Sequence, residues 1–220
     1  MKVKKRLICF DLDHTLISSN KAVVIALKKS LKKHGYGFIT NNQIYEKLGI
    51  PTKIFLKELI PDITKKELKS VHELKIKYLR VTGKKYVHKI KGSLNALKEL
   101  KKNYKIAIVT NSSKKKANIL LSSARLDKRL FDVIVDSDNI NPKPSPDEII
   151  KAEQLLKLKA DFMVGDSTYD IIAARNAKVR CIAVTTGNHS KAKLIKERPY
   201  AIIKSVKDLP KFLKSNHLLS

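Results

Sequence analysis

Residues 6–15 read RLICFDLDHT, a run of mostly apolar side chains followed at once by Asp11 and Asp13. A short apolar run bounded by polar residues is typical of a strand that is buried on both faces of a parallel sheet. In open α/β sheets, ligands bind at the carboxyl ends of such strands. The stretch therefore predicts a buried first strand and a candidate site directly after it.

Five further apolar runs recur along the chain at intervals suited to strands that alternate with helices. Three of them also end in polar clusters, which begin at Thr110, Asp136 and Gly165. One intervening segment starts with Ser145-Pro-Asp-Glu148, which has the N-cap, early proline and acidic first turn of a helix. The pattern predicts an α/β fold with a parallel sheet. The five runs are residues 105–109, 132–135, 161–164, 180–184 and 200–203.

The interval between residues 16 and 90 has a different pattern from the rest of the chain. It contains four segments of helical character, separated by glycines and prolines. We therefore predict a helical second domain or lid at residues 16–90, inserted after the first strand, and a core formed by residues 1–15 and 91–220. The predicted helices lie near residues 21–33, 41–48, 53–59 and 65–81, and Gly83 is among the predicted breaks.

Composition sets limits on the class of protein. The 220 residues carry 47 Lys and Arg against 20 Asp and Glu, a formal net charge of +27. A hydrophobic fraction of 43% is enough for a buried core and excludes intrinsic disorder as the main description. The basic excess fits a preference for polyanions or phosphorylated partners, and equally a solvated surface in a lysine-rich genome. Composition alone does not choose between these interpretations.

The cysteines and the apolar segments bear on the compartment. Cys9 and Cys181 each lie inside an apolar run, which argues against a disulfide framework or a zinc site. The apolar stretch near the start is too short for a signal peptide, because Asp11 interrupts it. No run approaches the roughly 20 apolar residues of a membrane span. We expect a cytoplasmic protein with no membrane partner, and the sequence does not disclose its oligomeric state.

Asp11 and Asp13 belong to a D-x-D-x-T pattern that ends at Thr15, and they are the first candidates for a chemical site. Two carboxylates so close together cannot both stay ionised in an enclosed space without a cation. A hard divalent ion that prefers oxygen ligands, best matched by Mg²⁺, would relieve that repulsion. The competing interpretation is an aspartate-rich turn that caps a helix.

Polar residues after later runs are candidates for the same site. Thr110 and Asn111 follow the second run, where they also suit an ordinary helix N-cap. Lys143 has a proline on each side, which fixes the backbone and distinguishes it from the other lysines. Asp166 and Asp170 follow the fourth run, where Asp170 also suits a capping box. Together these residues predict a site at one edge of the sheet.

The order of these motifs resembles that of the haloacid dehalogenase superfamily of phosphohydrolases, in particular its phosphoglycolate-phosphatase-like branch. The resemblance covers nearly the whole chain and implies a Rossmann-like core with an inserted α-helical cap, which corresponds to residues 16–90. The matching residues are D-x-D-x-T at 11–15, Thr110, Lys143 with the Pro-Ser-Pro-Asp that follows it, and G-D-x-x-x-D at 165–170.

The resemblance implies catalytic roles for four residues. Asp11 would be the nucleophile that forms an aspartyl-phosphate, and Asp13 would protonate the leaving oxygen and then activate water. Because Asp13 must be protonated in one half-reaction, we expect its surroundings to raise its pKa. Thr110 and Lys143 would hold the phosphoryl oxygens, and Lys143 would also restrain Asp11.

The resemblance also implies a Mg²⁺ site and further contacts to the phosphoryl group. The implied metal site consists of Asp11, Asp13 through its backbone carbonyl, and Asp166, with Asp170 in support, and the implied phosphate-binding residues are Thr15, Asn111 and Lys143.

Two positions depart from the family pattern. His14 occupies a position where glycine is common, and Ala177-Lys178 replaces a frequent Ala-Gly pair. We expect a relaxed backbone constraint at residue 178 and no loss of a catalytic group.

The sequence favours a Mg²⁺-dependent phosphatase, a phosphoric monoester hydrolase acting on a small phosphorylated metabolite. A phosphomutase of the same superfamily is the first alternative, since it keeps every motif seen here. A basic nucleic-acid-binding protein on a phosphatase scaffold is the second, although the sequence has no aromatic-basic RNA-binding motif. Residues 16–90 hold 17 basic and 5 acidic residues, so a basic cap would steer anionic substrates to the site.

Overall fold

Eight strands lie within residues 6–216 and Leu218, which the computed structural model describes. The strands are β1 (Arg6–Phe10), β2 (Ile17–Ser18), β3 (His88–Lys89), β4 (Tyr104–Thr110), β5 (Val133–Asp136), β6 (Ala160–Gly165), β7 (Arg180–Val184) and β8 (Ala201–Ile203). Six of them form a parallel sheet in the order β5-β4-β1-β6-β7-β8. Each predicted apolar run overlaps one of these six, so the predicted α/β fold with a Rossmann-like parallel sheet is confirmed. Residues 1–5, 217 and 219–220 of the predicted core lie outside the described residues.

Helices connect the strands and cover both faces of the sheet. The helices are α1 (Asn20–Lys33), α2 (Asn41–Glu46), α3 (Thr52–Leu59), α4 (Lys65–Tyr86), α5 (Ser93–Leu100), α6 (Lys114–Ser123), α7 (Asp147–Leu156), α8 (Thr168–Asn176), α9 (Lys191–Lys196) and α10 (Leu209–Ser215).

The covered faces explain why the strands are almost continuously apolar. Side chains alternate along a strand, so Ile8 and Phe10 join one apolar cluster while Leu7 and Cys9 join another. The first cluster includes side chains of α1, α5, α6 and α10, and the second includes side chains of α7, α8 and α9. All four of these β1 side chains are fully buried. The end of β1 is therefore fixed in the middle of the core.

The strand order brings the polar clusters to one edge of the sheet. β1 lies between β4 and β6, and Phe10 is level with Ile108 on one side and Val164 on the other. The sheet pairing extends one residue further, because the backbone N–H of Asp11 donates to the carbonyl of Val164 at 2.8 Å. The loops after β1, β4 and β6 therefore meet at the carboxyl edge, as the sequence predicts.

Helices α1–α4 form the insertion between β1 and α5. The short strands β2 and β3 pair antiparallel, so the chain leaves and rejoins the core at neighbouring points. Leu27, Leu31, Phe55 and Leu56 belong to an apolar cluster distinct from the two on the sheet. The bounds of α1, α2 and α3 agree with the predicted helices to within two residues. The division of the chain into a core and a cap domain stays a prediction.

The predicted end of the fourth helix is wrong. We expect a helix over 65–81 that stops before Gly83, whereas α4 continues to Tyr86. A glycine normally weakens a helix interior. Here a Cβ at residue 83 would lie 2.6 Å from Ser123 Oγ on α6, so the glycine lets the two helices approach closely. Tertiary packing thus outweighs the local preference.

Two further features of the described residues concern the apolar character of the helices and the state of the cysteines. Within residues 6–216 and Leu218, no helix combines the length and apolar character that crossing a bilayer requires. Cys9 and Cys181 are buried and unpaired, as expected. Burial raises the pKa of both thiols, so neither is a reactive thiolate at neutral pH.

Candidate active site

The loops at the carboxyl edge of the sheet surround one cavity, which we call the first cavity. Residues of the insertion close its outer side, among them Gly49 and Ile50. Seven of the eight predicted site residues line it, and Thr15 does not. The seven are Asp11, Asp13, Thr110, Asn111, Lys143, Asp166 and Asp170.

Lys143 is the centre of the hydrogen-bond network in this cavity. Its Nζ donates to Asp11 Oδ1 at 2.8 Å, to Asp170 Oδ1 at 2.7 Å and to the carbonyl of Val109 at 2.9 Å. Its side chain is only 2% exposed. Burial lowers the pKa of Lys143, but the charges of Asp11 and Asp170 outweigh burial and raise it well above its usual value. Lys143 is therefore a charged ammonium that holds Asp11 in place.

The loop that carries Lys143 is held by Asn111. The N–H of Lys143 donates to Asn111 Oδ1 at 2.7 Å, and Asn111 Nδ2 donates back to the carbonyl of Lys143 at 3.0 Å. The same Nδ2 donates to the carbonyl of Gly49 at 2.9 Å. The amide of Asn111 thus ties the lysine loop to the insertion, and its side-chain hydrogen bonds in this structure go to backbone rather than into the cavity.

Asp13 lies in a more polar environment than we expect from the sequence. Its carboxylate accepts hydrogen bonds from Ser19, from Ser112 at 2.9 Å and from Lys116 Nζ at 3.2 Å. Burial raises the pKa of Asp13, but the charge of Lys116 and the two serine hydroxyls outweigh it and lower the pKa to about 2. The expectation that its surroundings raise this pKa is therefore wrong for the side chains that surround Asp13.

The pKa values of Asp11 and Asp166 shift in the opposite direction from that of Asp13. Burial raises the pKa of Asp11 to about 7, and the neighbouring carboxylates of Asp170 and Asp13 add to this effect against the charge of Lys143. Burial and the charge of Asp11 raise the pKa of Asp166 well above its usual value. Two buried carboxylates with raised pKa values are a suitable environment for a cation with oxygen ligands.

Few side chains of the first cavity are available to hold such a cation. Among the residues that the structure describes, no three His, Cys, Asp or Glu side chains are grouped closely enough to coordinate one ion. Both Asp170 oxygens are engaged, one by Lys143 and the other by the backbone N–H and hydroxyl of Ser167. Asp11 and Asp166 each accept one side-chain hydrogen bond in the described chain, so this pair of carboxylates fits an ion whose remaining ligands are a backbone carbonyl and water.

Two glycines make room for these carboxylates. A Cβ at residue 187 would lie 1.7 Å from Asp166 Oδ2, and a Cβ at residue 165 would lie 2.3 Å from the carboxyl carbon of Asp170. Contacts this short require the neighbouring carboxylate to move. Gly165 belongs to a predicted motif, whereas Gly187 is recognised only from the three-dimensional packing.

Thr15 and Thr110 have structural contacts that their predicted roles did not include. Thr15 is fully buried beneath the cavity, and its hydroxyl donates to Asp166 Oδ1 at 3.3 Å. Thr110 lines the cavity at the end of β4, and its Oγ1 accepts from the N–H of Ser112 at 3.3 Å. Asp170 completes a capping box with Ser167 at the start of α8, so it serves the helix as well as Lys143.

Several lining residues carry no signal in the sequence. Lys116 on α6 is one of 40 lysines, and only the fold brings it to Asp13. On the opposite side, Asn20 Nδ2 donates to Asn188 Oδ1 at 2.8 Å, and the N–H of Thr168 donates to His189 Nδ1 at 3.1 Å. These contacts join loops that are far apart in the chain, so spacing alone could not reveal them.

A parallel α/β sheet with a lysine-restrained aspartate directly after its central strand defines a class of hydrolase. Residues 8–184 match the family of haloacid dehalogenase-like hydrolases, and the chain belongs to this family. The resemblance stated from the motifs, and the expectation of a hydrolytic enzyme, are thereby confirmed.

Relatives and solved structures cover nearly the whole chain. A protein of Caldanaerobacter subterraneus subsp. tengcongensis with the provisional name pyrophosphatase PpaX is 35% identical over 212 residues, 94% of each chain. A phosphoglycolate phosphatase of Aquifex aeolicus is 30% identical over 217 residues, 97% of this chain and 99% of that relative. The crystal structure of a hydrolase from Pseudomonas syringae superposes with a TM-score of 0.83 at 25% identity, covering 96% of this chain and 99% of its own.

Proposed function

We propose that the protein is a Mg²⁺-dependent phosphatase that hydrolyses a small phosphate monoester through an aspartyl-phosphate on Asp11. The observation that carries the proposal is the 2.8 Å contact from Lys143 Nζ to Asp11 Oδ1, in a cavity that Asp13 and Asp166 also line. The names of the relatives, a pyrophosphatase and a phosphoglycolate phosphatase, support phosphoryl transfer as the reaction class.

Asp11 acts as the nucleophile. One of its oxygens forms a bond to phosphorus while the bond from phosphorus to the substrate oxygen breaks. The ammonium of Lys143 restrains the attacking carboxylate and offsets the repulsion between it and the phosphoryl oxygens. Phosphoryl transfer needs such positioning and charge neutralisation more than an unusually reactive group.

Asp13 serves as the acid and then the base. It gives a proton to the leaving oxygen, and later takes one from the water that attacks phosphorus and breaks its bond to Asp11. A pKa of about 2 keeps the Asp13 carboxylate ionised at neutral pH, which is the form that accepts a proton. The acid form requires a higher pKa, and the arrival of a negatively charged phosphoryl group next to Asp13 raises it in the complex. The low pKa therefore describes Asp13 without a phosphoryl group beside it, whereas both half-reactions take place with one.

A divalent cation would be held by the carboxylates of Asp11 and Asp166 and by the backbone carbonyl of Asp13. When bound, Mg²⁺ would neutralise the charge that gathers on the phosphoryl oxygens and keep Asp11 ionised. Thr15 orients Asp166 through its hydroxyl, and Asp170 holds Lys143 rather than the ion. Thr110 lines the same cavity as Asp11 at the end of β4, where it would help to hold the phosphoryl oxygens.

The insertion at residues 16–90 acts as a cap in this proposal. Its Gly49–Ile50 loop lines the cavity and is tied to the core through Asn111. Closure over the site excludes water and admits small substrates. The 17 basic and 5 acidic residues of the cap would draw anionic substrates toward it.

The decisive experiment measures inorganic phosphate released from a panel of small phosphate monoesters and pyrophosphate. We expect release by the wild type with Mg²⁺, none after addition of EDTA, and none by Asp11→Asn. Asp62→Asn, on the exposed surface of the insertion, is the matched control and should behave like the wild type. Release that persists in EDTA or in Asp11→Asn would overturn the proposal.

A further inference from the structure

A second cavity adjoins the first on the side of the insertion. It lies between α4, the start of α3 with the two residues before it, and the loops after β4 and β5. Ile50, Asn111, Ser112 and Lys116 line both cavities, so the two meet at these residues. None of the residues proposed to carry out phosphoryl transfer requires this second space.

Lys75 on α4 is the most deeply buried group of the second cavity. Its side chain is fully buried, and its Nζ donates to Thr52 Oγ1 at 2.5 Å. Among the described residues no carboxylate lies within ion-pair distance of it. A buried ammonium with only a neutral hydroxyl as partner is costly unless an anion joins it. Burial and the charge of Lys116 accordingly lower the pKa of Lys75 to about 7.

His72 lies one turn earlier on α4 and lines the same cavity. Its Nδ1 is buried and has no hydrogen-bond partner among the described residues. Burial and the charges of Lys75 and Lys53 lower its pKa to about 4. A neutral imidazole can still offer an N–H to an acceptor. Lys75 and His72 are thus two buried donors with unused capacity on one helix face.

The cavity has an excess of positive charge. Lys53, Lys75 and Lys116 line it, whereas Asp138 is the one carboxylate among its lining residues in the described chain. Asp138 is already engaged, because its Oδ2 accepts from the N–H of Lys114 at 3.0 Å. Lys116 is likewise committed to Asp13 at the junction with the first cavity. Lys53 is exposed to solvent, so the buried lysine without a carboxylate partner among the described residues is Lys75.

We infer that the second cavity binds a second anionic group of the substrate, a carboxylate or a phosphate, at the end distant from the phosphoryl group that Asp11 attacks. The inference rests on the proposed function and narrows its substrate class to phosphate monoesters with two anionic ends. Lys75 and His72 would donate to the distal anion, and Lys116 would lie between the two ends.

Matched substrates test the inference directly. 2-Phosphoglycolate and 2-hydroxyethyl phosphate share a two-carbon chain and differ only in a terminal carboxylate or hydroxymethyl group. A third arm, ethylene glycol bisphosphate, ends in phosphate and distinguishes the two kinds of anion. We expect the wild type to prefer the anionic ends by about 10- to 100-fold in kcat/KM, the scale of hydrogen bonds to a charged group. Equal kcat/KM for all three would overturn the inference.

Lys75→Met removes the charge and keeps the side-chain volume. The preference for anionic ends should disappear through a rise in KM at unchanged kcat, because the distal contact is the same in the ground and transition states. Hydrolysis of 2-hydroxyethyl phosphate should not change. Lys77→Met, an exposed lysine on the same helix, is the control and should keep the preference. His72→Leu should weaken the preference independently, so the test does not depend on one variant folding.

Calorimetric measurement of substrate binding distinguishes a failure of this inference from a failure of the proposed function. If the wild type released no phosphate from any arm, the proposed function would fail, and binding would decide the inference alone. Tighter binding of 2-phosphoglycolate than of 2-hydroxyethyl phosphate, lost in Lys75→Met but kept in Lys77→Met, supports the distal anion site. Loss of preference in both lysine variants, or in neither, contradicts it.

Discussion

Lys143 and Lys75 are two buried lysines in adjoining cavities, and their environments differ. Lys143 contacts two carboxylates, and its pKa is raised well above normal despite burial. Among the described residues the hydrogen-bond partner of the Lys75 ammonium is a threonine hydroxyl, and burial lowers the pKa of Lys75 to about 7. The charge of Lys143 is neutralised by the protein's own carboxylates, whereas Lys75 has no carboxylate partner among the described residues. The comparison separates a lysine that organises the protein's own carboxylates from one that has capacity for a ligand.

The largest effect is expected for Lys143→Met. Loss of this ammonium leaves Asp11 and Asp170 buried without their counter-ion, which should cost about 3–5 kcal/mol of the free energy of unfolding. Activity should fall by at least about 100- to 1,000-fold, the scale of losing one preorganised donor. Urea denaturation and phosphate release measure the two effects.

Two other lysine variants test whether these effects are specific to Lys143. Lys151→Met, at an exposed position on α7, should change neither property. Lys75→Met should leave stability equal or higher, since no carboxylate depends on that lysine. If Lys143→Met and Lys75→Met destabilised the protein equally, the contrast between the two environments would be wrong.

The next largest effect is expected for Gly187→Ala. The added Cβ would lie 1.7 Å from Asp166 Oδ2, so the carboxylate must shift from its present position. We expect activity at a fixed Mg²⁺ concentration to fall by about 10- to 100-fold, as for a disturbed metal environment, and to recover partly at higher Mg²⁺. A Mg²⁺ titration of phosphate release measures this. Gly37→Ala, where the new Cβ would make only an ordinary contact at 3.8 Å, is the control.

The pH dependence of the free energy of unfolding also distinguishes Lys75 from Lys143, with a smaller expected effect. The folded-state pKa of Lys75 is about 7 and the ordinary lysine value is 10.5, so between these pH values the unfolded chain binds more protons. The Lys75 contribution therefore makes the wild type more stable as pH rises from 7 toward 10, by at most about 1.4 kcal/mol per pH unit. Lys143 has a raised pKa, so its stabilising contribution is fully present below 10.5 and adds no slope in this window.

Urea denaturation of the wild type and Lys75→Met at pH 7, 8 and 9 isolates this contribution. The difference in unfolding free energy between the two should shift in favour of the wild type as pH rises. Lys77→Met should stay parallel to the wild type throughout. A pH-independent difference between wild type and Lys75→Met would mean that Lys75 is ordinarily charged in the folded protein.

The sequence predicts the first of these environments much better than the second. Short apolar runs identify the six core strands because both sheet faces are buried, and the strand order then brings Asp11, Lys143 and Asp166 together. The pKa of Asp13 is not predictable in this way, since Lys116 reaches it from 103 residues further along the chain. Lys75 is likewise indistinguishable among 40 lysines until the packing of α4 is known.

Backbone conformation marks another limit of the sequence. The expectation of a relaxed backbone constraint at residue 178 is wrong, because Lys178 has φ +58° and so keeps the left-handed conformation that glycine favours. It follows the C-cap of α8, and its N–H donates to the carbonyl of Arg175 at 3.0 Å. His14 also adopts a positive φ, +62°, at its glycine-like position. At residue 178 the end of α8 therefore imposes a positive φ on lysine, as it would on glycine.

The smallest effect is therefore expected for Lys178→Gly, away from both lysine environments. Glycine adopts the left-handed conformation without the steric cost that a Cβ imposes, and we expect a gain of about 0.5–1 kcal/mol in the free energy of unfolding. Lys157→Gly, at φ +53° after α7, should give a similar gain. Lys151→Gly within α7 should instead cost about 1 kcal/mol. Because none of the three lines either cavity, kcat/KM should stay constant, and a change in it would show that charge loss at the surface alone alters substrate capture.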